Sequence, residues 1–201
     1  MCIRDSRSSV VPNQIGTKSS KIKHVIYVVR ENRTFDQELG SNGRGNGDPT
    51  LNLFGEESAP NTRALARQFV TFDNFYADAE VSANGWNWVS QANSNPWSEE
   101  MWPSNYSGRG APYPSEHNDP EARAKEHDAY FWEHLSKNNI SFRNYGFYTQ
   151  RDKNGKAHAA DKEVLDPNTD HDYIGWSLAC PDSANSFKPM AKNCGPKSRV
   201  D

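Results

Sequence analysis

The longest uninterrupted apolar run of this chain is Val25 to Val29, inside "IKHVIYVV" (residues 22–29). Rich in β-branched side chains and bounded by polar residues, it reads as a strand buried on both faces, as in a parallel sheet. Its shortness constrains everything else. No stretch approaches the roughly 18 apolar residues that a bilayer-crossing helix needs, so no transmembrane segment is expected. A core must be assembled from several short elements, and the chain supplies them in alternation. "TFDQELG" (34–40) follows as a short helical turn, with Thr34 as N-cap and Gly40 as stop. "SAPNTRALARQF" (58–69) has Pro60 or Asn61 at its start and Leu65, Ala66 and Phe69 at helical spacing, and "VTFDNFYAD" (70–78) reads as a second strand. "PEARAKEHDAYFWEHLSKNN" (120–139) predicts a helix with Tyr130, Phe131, His134 and Leu135 along one side, and "ISFRNYGFY" (140–148) a third strand. Strand, helix, strand, helix, strand in series predicts an α/β fold with a mainly parallel sheet flanked by helices.

Long loops are expected between these elements: "SNGRGNGDPTLNLFG" (41–55), residues 94–119, and the polar chain beyond 150. The glycines of the first do not form a phosphate cradle, because no apolar strand feeds them and Asp48-Pro49 blocks a helix from opening there. Composition agrees with a loop-rich protein. Apolar residues make up 34% of the 201, against roughly 45 to 50% (glycine included) in soluble domains, and mean hydropathy is -0.95. Aromatic residues nevertheless reach 11%, which disordered chains lack. The net charge of -3, with basic residues interleaved among acids, argues against a nucleic-acid partner.

The opening "MCIRDSRSS" has neither a basic n-region nor an apolar h-region. Residues 1–20 are therefore expected to be a leader, either non-native sequence or disordered, and Cys2 is set aside with it. Residues 21–201 form the expected domain. Cys180 and Cys194, with thirteen residues between them, would close an easy disulfide loop in an oxidising compartment; two free thiols is the alternative.

Ligands of an open parallel sheet bind at the carboxyl ends of its strands. The first strand delivers Glu31 and Asn32 there, and the second delivers "DAEVSANGWNW" (78–88). A carboxylate next to an amide oxygen offers hard donors for a divalent cation such as Zn²⁺, Ca²⁺, Mg²⁺ or Mn²⁺. The competing reading pairs Glu31 with Arg30 or Arg33 and closes an Asx-turn with Asn32. Ser82 stands at the start of the predicted helix 82–93, where backbone N–H groups and the helix dipole stabilise an anion; it reads either as a nucleophile or as a plain N-cap. Gly85 would let a substrate approach the backbone closely, so Asn84 and Gly85 are the substrate-binding candidates. His117, His127 and His134 fall in a loop and a helix without a metal motif, and His158 and His171 lie in the polar tail without recognisable context.

"IKHVIYVVRENRTFDQELG", "GRGNGDPTLNLFG", "PNTRALARQFVTFDNFYADAEVSANGWNW" and "FWEHLSKNNISFRNYGFY", in this order, resemble the phosphoesterase family of bacterial phospholipases C and acid phosphatases, within the alkaline phosphatase superfamily. The resemblance runs from about residue 21 to 148. It implies an alkaline-phosphatase-like core, with Glu31 and Asn32 as first metal ligands and Ser82 as both nucleophile and metal ligand. It also implies a phosphoseryl intermediate, and a small-molecule or lipid phosphomono- or phosphodiester as substrate. Such proteins are commonly periplasmic or secreted rather than cytoplasmic, and some carry a β-propeller ahead of the domain. Their remaining metal ligands come from a C-terminal half, so the 201 residues are expected to be the N-terminal part of the domain and inactive alone. One departure concerns Gly85-Trp86, where similar proteins have Gly-His. That departure keeps a second reading open, a binding or surface protein without turnover; a sulfatase or phosphonate hydrolase on the same scaffold is a weaker rival.

Overall fold

The computed structural model describes residues 14, 16–19, 21–106, 109 and 130–173. The chain divides into two compact units, Met1–Phe75 and Tyr76–Asp201. Cys180, Cys194, His117 and His127 lie outside the described residues.

In the first unit, helix α1 is Phe35–Leu39. Thr34 Oγ1 accepts from the Gln37 N–H at 3.2 Å and Gln37 Oε1 accepts from the Thr34 N–H at 3.1 Å. That reciprocal pair satisfies two of the N–H groups that a helix start leaves unpaired. Helix α2, Pro60–Gln68, begins with proline at its first position, where the missing N–H costs nothing. The apolar stripe read along it does not face a core. Ala66 and Arg63 are its buried residues, whereas Leu65 and Phe69 are exposed. The reason is Arg63, which gathers the polar loop around itself. Its guanidinium donates to the Glu38 carbonyl at 3.1 Å, the Phe54 carbonyl at 3.2 Å, Asn52 Oδ1 at 3.2 Å, Ser41 Oγ at 3.0 Å and Glu56 Oε2 at 3.1 Å. A cation spread over five acceptors can be buried without an orphaned donor. The glycine loop packs tightly beside it: Gly45 has φ +76, and a Cβ there would stand 2.7 Å from Asp73 Cβ. At Gly45 the positive φ and the close approach of the Asp73 side chain are therefore what glycine allows.

Residues 22–29 and 70–78, read as strands from sequence, form no strand, and among the described residues no strand pairs with either of them. Their apolar side chains are open to solvent, Ile26 at 88% and Phe75 at 86% of full exposure.

The second unit holds an aromatic core. Helices α3 (Ser82–Gln91), α4 (Pro96–Asn105) and α5 (Phe131–Lys137) precede a hairpin of β1 (Thr149–Arg151) and β2 (Ala157–Ala159). The strands pair antiparallel, with Thr149 opposite Ala159 and Arg151 opposite Ala157. Helix α4 occupies part of a segment expected to be loop. Asn95 caps it, its Oδ1 accepting from the Ser98 N–H at 2.8 Å, and Pro96 opens it. The anchor of α5 is Trp132, fully buried, and His134 is exposed. Trp132 stacks on Tyr130 at 4.3 Å and donates from Nε1 to Asp161 Oδ2 at 2.9 Å. Residues 140–148 carry a turn at Gly146 and a single bridge, Asn144 to Thr169, in place of the expected strand. Tyr148, Leu165 and Ala159 complete the core.

Candidate functional site

Glu31 and Asn32 lie between the apolar segment 22–29 and the Thr34 cap of α1. The pairings that would have made them an ordinary turn are absent among the described residues. Arg30 turns instead to Glu38, at 3.8 Å, and to the Thr62 hydroxyl. Arg33 donates to the backbone carbonyl of Asn32 at 2.8 Å and lies over the Phe54 ring at 5.7 Å. Neither the Glu31 carboxylate nor the Asn32 amide has a hydrogen bond to a described residue, and both side chains are exposed. An unpaired carboxylate beside an unpaired amide oxygen suits a hard divalent ion that takes oxygen ligands.

Ser82 is the first residue of α3. Val81 occupies the N-cap position and offers no side-chain acceptor, so the leading N–H groups of the helix are left for a solvent or anionic partner. The Ser82 hydroxyl is half-buried and has no hydrogen bond among the described residues. Sequence offered two readings of this serine, cap or nucleophile; the cap position belongs to Val81. Asn84, by contrast, is spent on structure. Only 1% exposed, it accepts from the Val81 N–H at 3.3 Å and donates to Glu80 Oε2 and Glu99 Oε2, each at 3.0 Å. Both amide hydrogens are thereby used, which leaves none for a substrate. The Asn84 amide holds the Glu80 carboxyl below its ordinary range. At Gly85 an added Cβ would meet only Ala79 Cβ, at 3.7 Å, so the backbone there is open.

Trp86 packs against the aromatic core. It meets Phe147 edge-on at 5.1 Å and Tyr148 at 6.0 Å, and its carbonyl accepts from the Tyr148 hydroxyl at 2.8 Å. Its role in this chain is to pin α3 against residues 147 and 148.

A group that sequence reasoning passed over lies at the hairpin. His158, Asp166 and His171 bring two imidazole nitrogens and a carboxylate oxygen within 4.8 Å of one another. Strand β2 turns Ala157 and Ala159 inward and leaves His158 half-exposed on the other face, as strand alternation requires. The two histidine rings are 4.5 Å apart. The signal available in sequence was the density of histidine and aspartate in the window 158–171, together with the Asn154-Gly155 turn that makes a hairpin of its flanks.

Comparison with family models, with curated proteins and with solved structures returned no match to this chain.

Proposed function

We propose that this protein is a metal-dependent phosphoester hydrolase, built on an alkaline-phosphatase-like α/β core, in which Ser82 is the nucleophile and Glu31 and Asn32 are metal ligands. The observation that carries the reading is the state of Ser82: a half-buried hydroxyl with no hydrogen-bond partner among the described residues, first in a helix whose N-cap residue, Val81, offers no side-chain acceptor. The resemblance of residues 21–148 to the phosphoesterases supports it, as do the unpaired oxygens of Glu31 and Asn32. A bound divalent ion would supply charge neutralisation and a lowered hydroxyl pKa.

Ser82 Oγ attacks phosphorus, the bond to the ester oxygen breaks, and the alcohol leaves with a proton. Water then attacks the phosphoserine, releasing phosphate and restoring the hydroxyl. The leading N–H groups of α3 point at the charge that develops on the phosphoryl oxygens, which is where phosphoryl transfer gains most. Phe131, Trp132 and Phe147 brace the helix through Trp86, so that the serine is held by a packed element.

The test is turnover of p-nitrophenyl phosphate and its diester by protein from the full reading frame, with Zn²⁺, Ca²⁺, Mg²⁺ or Mn²⁺ supplied in turn. Ser82→Ala is expected to lower kcat by about a thousandfold or more, and Glu31→Gln to raise the metal concentration needed. Turnover undiminished in Ser82→Ala, or no phosphate release with any of the four ions, removes the proposal.

A further inference from the structure

We propose that His158, Asp166 and His171 form a second metal site, for a divalent transition ion of the Zn²⁺ class, that clamps residues 157–171 in the second unit. It goes beyond the hydrolase reading, shares no residue with it and stands or falls separately.

Each donor is held by the backbone of β2. Asp166 opens a short 3-10 turn, Asp166–Asn168, that returns the chain to the strand, where its Oδ1 accepts from the Ala159 N–H at 2.7 Å. His171 closes on the same strand from its other end. The Ala157 N–H donates to the His171 carbonyl at 2.9 Å, and His171 Nδ1 lies 2.7 Å from the Ala157 carbonyl. A carbonyl can only accept, so Nδ1 carries the proton and Nε2 keeps the lone pair that a metal needs. A backbone carbonyl orienting an imidazole in this way is the usual outer shell of a metal-bound histidine. Asn144 fixes the approach: it accepts at its carbonyl from the Asp170 N–H at 2.9 Å, and its amide donates to Thr169 Oγ1 at 2.9 Å.

The spacing suits a small ion. His158 Nδ1 stands 3.2 Å from Asp166 Oδ2, close to the roughly 3.3 Å edge of a tetrahedron with bonds of about 2.0 Å. Two imidazoles with one carboxylate favour Zn²⁺ and its neighbours over Ca²⁺ or Mg²⁺, which take oxygen. Three protein donors leave room for a fourth. The competing arrangement is a plain ion pair, with Lys162 Nζ 3.2 Å from Asp166 Oδ2. Lys162 is largely exposed, and such a pair on the surface contributes too little to exclude a metal.

The experiment is calorimetric titration of chelator-stripped protein with Zn²⁺, with thermal unfolding in parallel. A Zn²⁺ bound per chain that excess Mg²⁺ does not displace, and a rise in Tm with it, are expected. His171→Ala and Asp166→Asn should each weaken Zn²⁺ binding by more than about tenfold, while His134→Ala, at an exposed histidine outside both sites, binds it as the parent does. Should a hairpin variant fail to fold, the parent protein still decides. Zn²⁺ should shield His158 and His171, and not His24 or His134, from acylation by diethylpyrocarbonate, read by peptide mass mapping. Equal modification of all four with and without Zn²⁺ overturns the proposal, as does unchanged stoichiometry in a folded His171→Ala variant.

Discussion

Glu56 shows how one exposed carboxylate can organise a unit made of loops. It receives the Arg67 guanidinium through both oxygens, at 2.5 and 3.0 Å, and Arg63 Nε at 3.1 Å. Those bonds, Arg67's first, hold its carboxyl at about 2, from an ordinary 4.5. A carboxyl whose pKa is depressed by folding stabilises the fold above its unfolded value and loses that contribution as pH falls through its folded one. The window is therefore pH 4.5 down to about 2. Glu56→Gln should be less stable than the parent at neutral pH, with the difference shrinking as pH falls through that window. Amide exchange in peptides from 35–68 reads this; a difference that persists unchanged below pH 2.5 would assign the effect to packing rather than charge. Because the pair is exposed, the effect also weakens in high salt.

Helix α4 carries the clearest case of an element that sequence offered and periodicity hid. Asn95 as cap, Pro96 at the first position and Glu99 in the first turn are the ordinary signals of a helix start. The proline and tryptophan content of residues 94–119 made a loop the natural reading. Asn95→Ala should cost about 1 kcal/mol, measured as a lower midpoint in urea by tryptophan fluorescence; no change would mean the helix start is held by α3 instead. Helices α1 and α2 were legible for the converse reason, since Thr34 and Pro60 mark their starts without help from tertiary contacts. What periodicity could not give was the direction of α2. Leu65 and Phe69 look like its core face, yet Arg63, by collecting carbonyls from 38 and 54, decides which side is buried. The same limit applies to chemistry: Ser82 and Glu31 can be proposed from their neighbours in sequence, whereas His158, Asp166 and His171 meet only after a hairpin and a turn have formed.

At the scale of the whole molecule, the two segments that sequence marks as its most apolar are the ones this structure leaves uncovered. Val25, Ile26, Val28, Val70, Phe72 and Phe75 are all exposed, and scattered apolar residues are common on surfaces, but runs of them close together in the chain are not. Burial in a parallel sheet and exposure make opposite demands on the same substitution. A buried isoleucine contributes about 1.5 to 3 kcal/mol through area removed from water, whereas an exposed one can be changed within about 0.5 kcal/mol. For the 201-residue chain, Ile26→Asn is therefore expected to shift unfolding by less than about 0.5 kcal/mol and, combined with Phe75→Ser, to lower the fluorescence of bound anilinonaphthalenesulfonate. Urea unfolding followed by circular dichroism gives the first quantity, and dye titration of the native protein the second. A loss of about 2 kcal/mol or more from Ile26→Asn alone would place the segment inside a sheet. The small shift together with the dye response would instead identify residues 22–29 as an exposed apolar segment with no strand partner among the described residues.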